Sequence, residues 1–215
     1  MMSKIAIKLE KVTKKFDDDL VLKDINCEFD QGKIHGLVGN NGSGKTVLLK
    51  CIIGLQLVTS GTVIVEEKVI GVERDFPESL GALIESPGFL PSMTGISNLK
   101  LLASINHKVH SKEVVESMLR VGLEPMSKKK VGKYSLGMRE RLGIAQAIME
   151  KPRILIFDEP FNGLDKNGTR KIRNLIKDIN ERGATVLLTS HNSQDIDSLC
   201  HDVYEMDAGM LTKIK

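Results

Sequence analysis

The chain has 215 residues, 41% hydrophobic and 27% charged, a usage that fits a packed globular domain and excludes wholesale disorder. Its 31 lysines and arginines against 28 aspartates and glutamates leave a net charge of +3, too small to mark a nucleic-acid or membrane-surface binder. The cysteines Cys27, Cys51 and Cys200 have no CxxC or zinc spacing, which fits reduced thiols in a cytosolic protein, and no apolar run approaches the roughly 20 residues needed to span a bilayer.

From the N-terminus, residues 1–8 alternate polar and apolar side chains like a strand and lack a secretory apolar core. Residues 5–9 and 22–29 read as half-buried strands, with a turn over 16–19. Residues 33–38 form a short apolar run that stops at a glycine-rich segment, so a buried strand is expected there. Residues 45–55 read as a helix apolar almost all round, and residues 61–70 as a hairpin turning at Glu66-Glu67. Pro87 and Pro91 mark loops. Amphipathic helices are expected over 96–105 and 112–121, the second closed by Gly122. Lys128, Lys129 and Lys130 make a solvated loop before a further helix carrying Leu142, Ala145, Ile148 and Met149 on one face.

From Arg153 the pattern becomes strand–helix–strand. Residues 154–157 and 184–188 read as buried strands, with Ile172, Leu175, Ile176 and Ile179 at helical spacing between them. Such alternation predicts an α/β domain with a mainly parallel central sheet. An antiparallel N-terminal β subdomain and a helical insertion at about 86–150 complete a single domain over 1–215.

The chemistry concentrates in three places. Gly39-Asn40-Asn41-Gly42-Ser43-Gly44-Lys45-Thr46 matches GxxxxGK[ST] between a strand and a helix. Its glycines let successive N–H groups curl around a phosphate, Lys45 can reach the terminal phosphates, and the Thr46 hydroxyl can ligate Mg²⁺. The strand at 154–157 ends in Asp158 and Glu159, placed to hold Mg²⁺ and to orient and deprotonate a water. Tyr134-Ser135-Leu136-Gly137-Met138-Arg139-Glu140-Arg141 opens a helix with a serine and free backbone N–H groups, an anion receptor.

Together these strings resemble the ABC (ATP-binding cassette) ATPases, whose signature LSGGQxQR is similar to the segment from Ser135 to Arg141. The resemblance spans residues 5–213 and implies the ABC fold, a P-loop NTPase with an inserted helical lobe. It implies that ATP contacts run from Gly39 through Thr46 to Val47, that Phe16 stacks on adenine beside Val21, and that Asn162-Gly163-Leu164-Asp165 is the D-loop. It further implies that His191, in Thr189-Ser190-His191, contacts the γ-phosphate, and that Ser135 and Gly137 serve ATP bound to a second ATPase subunit. Glu159, His191, Lys45 and Glu85 are the catalytic candidates; Thr46, Asp158 and Glu85 are the metal candidates.

Glu85 stands where the family has a glutamine, Asn98 where many relatives carry glutamate, and Glu140 where they carry glutamine. The segment from Ile84 to Leu99, with Tyr-Ser-Leu-Gly-Met in the signature, looks like the bacitracin-resistance and lantibiotic-immunity branch. The resemblance therefore implies hydrolysis of ATP with Mg²⁺ to drive a separately encoded transmembrane permease, exporting peptide antibiotics or other amphiphiles. The subunit is expected to be cytoplasmic and peripheral on the inner membrane face, touching the membrane only through the permease, with no nucleic-acid partner. Because the sequence ends soon after the last expected strand, no regulatory C-terminal extension is expected. A non-transport ABC ATPase regulating a membrane complex is one alternative. A small-molecule P-loop kinase is another, though it would leave Ser135 to Gly137 without a purpose.

Overall fold

The computed structural model describes residues 4–106 and 108–215. Its first strand, β1 (Ile5–Phe16), pairs antiparallel with β2 (Asp19–Asp30) and with β4 (Ser60–Val65), and β5 (Lys68–Val69) completes a four-stranded sheet in the order β2-β1-β4-β5. Both long strands run well past the expected 5–9 and 22–29. Irregular steps in their register near Lys11 and Asp24, each with positive φ, break the alternation that sequence reading relies on. Residues 1–3, which belonged to the expected N-terminal strand, lie outside the described residues.

The second sheet has six strands in the order β10-β9-β3-β8-β7-β6. Its members are β3 (Ile34–Val38), β6 (Leu80–Leu83), β7 (Ile154–Phe157), β8 (Thr185–Thr189), β9 (Asp202–Asp207) and β10 (Met210–Lys213). All pairings are parallel except that of β10 with β9 at the edge. Every residue of β7 and β8 is buried, and the two faces enter different cores. Ile154 and Ile156 pack with the four-stranded sheet and helix α1 (Lys45–Ile53), whereas Leu155 and Phe157 pack among the other helices. Burial on both faces explains why these strands read as unbroken apolar runs.

Those other helices are α2 (Gly95–Asn106), α3 (Ser111–Arg120), α4 (Leu136–Ile148), α5 (Lys166–Glu181) and α6 (Ser193–Leu199). Helix α3 closes as its sequence predicts: Gly122 sits at φ +78°, and Leu123 N–H donates back to Met118 O at 2.9 Å. Helix α1 stops at Ile53, two residues before the expected end, with left-handed Gly54 as its cap. Helix α5 starts where the Asp165 carboxylate accepts from Gly168 N–H, and it buries Ile172, Leu175, Ile176 and Ile179 on one face. Burial pushes the thiols of Cys27 and Cys200 up to about 12 and that of Cys51 to about 11, so all three free cysteines are poor nucleophiles.

Ile176 is fully buried on α5, while its neighbour Lys177 faces solvent. Ile176→Ala is expected to cost about 2–4 kcal/mol in urea unfolding and Lys177→Ala less than about 0.5 kcal/mol. Equal costs would show that α5 does not dock by this face.

Candidate nucleotide site

The parallel strands β3, β8 and β7 lie side by side, so the loops after them emerge together at one sheet edge, the carboxyl edge where open α/β sheets bind ligands. The loop after β3 is the glycine-rich string. Gly39 has φ +140°, and a Cβ there would stand 2.1 Å from Met206 O, so no side chain fits. Gly42 and Gly44 also hold positive φ, and Gly44 leads directly into α1. The loop is thus curled over the start of a helix. Lys45 Nζ donates to Gly39 O at 2.8 Å and Asn40 O at 2.9 Å, which holds the ammonium over the loop's mouth. Ser43 Oγ is buried without a hydrogen-bond partner. Asn40 and Asn41 lie on the outer part of the loop, and Val47 packs against the core behind it. A positive cradle with a donor to spare suits a polyphosphate.

Beside the cradle, the Asp158 carboxylate gathers two hydroxyls. Thr46 Oγ1 donates to Asp158 Oδ2 and Thr189 Oγ1 to Asp158 Oδ1, each at 2.7 Å. Thr189 Oγ1 also accepts from Glu159 N–H at 2.8 Å. Glu159 adopts φ +53°, an uncommon backbone for a non-glycine residue, and its Oε2 lies 2.8 Å from His191 Nδ1. His191 is 75% exposed and Glu159 28%, so the pair opens toward solvent.

The His191 loop is braced from beneath. Ser190 Oγ donates to Asp195 Oδ2 at 3.0 Å, and Arg173 Nε on α5 donates to Asp195 Oδ1 at 2.6 Å. Asp195 is only 1% exposed, so the pair is held in place by packing as well as charge.

Thr46 and Asp158 supply hard oxygen ligands of the kind Mg²⁺ accepts alongside phosphates and water. Among the described residues no group of three or more His, Cys, Asp or Glu side chains forms a metal cluster. Glu85, a sequence candidate for the same ion, makes an ion pair with Lys50, whose Nζ lies 2.6 Å from its Oε1, and its side chain is 62% exposed. Phe16 ends β1 with a partly exposed ring, and Lys14 Nζ stands 4.6 Å from its centre.

The Ser135 string lies on a different element. Ser135 caps α4 by accepting from Met138 N–H at 3.2 Å, and Gly137 packs so closely on the Asn162 to Asp165 loop that a Cβ would meet Gly163 O at 2.5 Å. Arg141 Nε donates to Gly137 O at 3.2 Å, which steadies the turn. Glu140, on the same helix, is 7% exposed; burial lifts its carboxyl to about 7, and neighbouring Arg139 only partly opposes the rise.

A family model described as "ABC transporter" matches residues 22–162. An ABC transporter ATP-binding protein of Bacillus subtilis, YybJ, is 42% identical over 205 residues, 95% of this chain and 94% of the relative. The chain belongs to the ABC transporter ATP-binding family. Members of this family are ATPases, and this cassette brings its glycine-rich loop, Asp158, Glu159 and His191 to one sheet edge, with the Ser135 string on a separate element. The bacitracin transport ATP-binding protein BcrA of Enterococcus faecalis is 36% identical, covering 99% of this cassette and 70% of its own length. The lantibiotic transport ATP-binding protein SrtF of Streptococcus pyogenes is 32% identical over 90% of this cassette and 83% of its own length. Among solved structures, cbiO1 of Clostridium perfringens superposes with a TM-score of 0.82 at 26% identity, over 97% of this cassette and 87% of that chain. The cassette MJ0796, bound to ADP and Pi, has the same fold, with a TM-score of 0.86 at 24% identity over 97% and 99% of the two chains.

Sequence reasoning passed over Thr189, Asp195, Arg173 and Lys50. Thr189 carried a signal, a hydroxyl at the last position of a buried strand, but Asp195 and Arg173 are far apart in the chain and meet only through packing.

Thr189→Val removes one donor to Asp158 and leaves Glu159 N–H unpaired. It is expected to slow ATP hydrolysis at least about tenfold and to cost about 1–3 kcal/mol of stability, read by phosphate release and urea unfolding. Unchanged turnover would remove Thr189 from the site's support.

The Glu140 carboxyl keeps its proton in the folded state up to about pH 7, whereas the unfolded chain releases it near pH 4.5. The folded state therefore binds more protons in that window, and stability falls as pH rises from about 4.5 to about 7. Glu140→Gln is expected to gain roughly 2–3 kcal/mol at pH 8 relative to its effect at pH 4.5, measured by denaturant unfolding at both values. A gain independent of pH would show that the buried charge is not its source.

Proposed function

We propose that this cassette hydrolyses ATP with Mg²⁺ as one half of an ATPase pair and drives a separately encoded transmembrane permease that exports peptide antibiotics or other amphiphiles. The observation that carries the reading is the hydrogen-bonded run Thr46–Asp158–Thr189–Glu159, with His191 Nδ1 standing 2.8 Å from the Glu159 carboxylate, beside the Gly39 to Thr46 cradle. The cargo class is supported by the bacitracin and lantibiotic transport names of BcrA and SrtF. Among the described residues no helix is long and apolar enough to cross a membrane, so the proposed membrane contact falls to the permease. The subunit would sit on the cytoplasmic face of the membrane.

In the proposed reaction the curled loop and Lys45 bind the β- and γ-phosphates, and Phe16 stacks on the adenine. Thr46 and Asp158 would hold Mg²⁺, which would supply positive charge to the phosphates. Glu159, its backbone fixed by Thr189, orients the attacking water and takes its proton. His191 turns from Glu159 toward the γ-phosphate. Ser135 and Gly137 close over the nucleotide of the opposing subunit, using the free N–H groups and dipole at the start of α4.

Glu159→Gln is expected to retain ATP binding and lower hydrolysis about 10²–10⁴-fold, the range for loss of a general base. Near-normal phosphate release would remove Glu159 from that role. A tagged wild-type chain recovered from gently solubilised membranes of its source should bring down a multi-span protein in near-stoichiometric amount. Recovery of soluble proteins alone would overturn the permease assignment.

A further inference from the structure

Glu85 brings a negative charge to a site built for a polyphosphate, and the structure shows what offsets it. Strand β6 pairs in parallel with β7, placing Leu83 opposite Phe157, and Asp158 N–H donates to Leu83 O at 2.8 Å. Two residues past β6, Glu85 is therefore delivered to the same sheet edge as Asp158. Its backbone takes φ +56°, a conformation that few non-glycine residues adopt, so the direction of its side chain is set by the loop. On the other side, Lys50 lies four residues after Thr46 on α1, one turn along the same helix face. Its ammonium meets the Glu85 carboxylate at 2.6 Å.

The pair thus bridges α1, one turn beyond Thr46, and the loop that leaves β6 beside Asp158. Pairs this exposed contribute little to folding. Their electrostatic effect on a multiply charged ligand nearby is larger, because the ligand carries several charges and each one interacts. We propose that Lys50 is a positioning residue for the nucleotide site: it holds the Glu85 carboxylate and cancels its charge, so that the two side chains together present a neutral, oxygen-bearing group to MgATP. This rests on the nucleotide reading given above. It makes Lys50 and Glu85 one functional unit, in which either residue alone is worse than both or neither.

The test is ATP affinity, with and without Mg²⁺, at low and high salt, for the wild type, Lys50→Met, Lys50→Arg and the double variant Lys50→Met/Glu85→Gln. Lys50→Met should weaken ATP binding about three- to tenfold at low salt, through repulsion by the uncovered carboxylate. The loss should shrink at about 0.5 M salt, where charges are screened beyond a few ångströms. Lys50→Arg should bind close to wild type, and the double variant should recover most of the affinity lost in Lys50→Met, a coupling that should fade with salt as a packing contact would not. Equal losses in Lys50→Met and the double variant, or no loss in Lys50→Met, would overturn the proposal. Failure of the wild-type chain to bind ATP would overturn the nucleotide reading itself, and the pair's role with it.

Discussion

The carboxylate of Asp158 accepts hydrogen bonds from hydroxyls on two other segments, Thr46 at the start of α1 and Thr189 at the end of β8. Three stretches far apart in the chain are thereby fixed around one side chain, and each delivers a different tool: the phosphate cradle, the carboxylate pair, and the histidine loop. Because Thr189 also accepts from Glu159 N–H, the position of one hydroxyl governs two acidic residues. An ionised carboxylate can take several donors at once, whereas an amide in its place would spend one side on donors of its own. The geometry of the edge therefore depends on the identity of residue 158.

That arrangement is possible only because the sheet beneath it is rigid. Strands β7 and β8 expose nothing, and their alternate residues enter two separate cores, so neither strand can slide by a residue without exchanging its two apolar faces. The Arg173–Asp195–Ser190 network extends the same rigidity into the loop that carries His191. Asp195 is deeply buried yet ionisable, and breaking such a pair leaves an uncompensated charge, which makes the brace hard to alter one residue at a time.

Much of this was legible in the sequence. The unbroken apolar runs before Asp158 and through residues 184–188 announced buried parallel strands, and the glycine spacing announced the loop between β3 and α1. What escaped was short or irregular. Strand β6 has four residues, one of them Gly81, and offers no period to detect. Strands β9 and β10 and helix α6 were not placed, since Ser193–Leu199 is under two turns long and carries mostly polar side chains. Glu85 was recognised as a departure, but its partner was not, because Lys50 looks from the sequence like any helix lysine. Pairings between segments have no periodic signature, and Arg173 with Asp195 is invisible for the same reason.

The close packing of Gly137 on Gly163 O has a consequence for how such a chain can vary. The start of α4 and the loop leading into α5 meet through backbone at Gly137 and Gly163 O, with the Leu136 side chain packed against Gly163, so they behave as one face. A larger residue at 137 would have to push that whole loop aside, and no change confined to residue 163 could make room, since the obstructing atom is its main-chain oxygen. Two segments that look independent on paper therefore constrain each other's side chains.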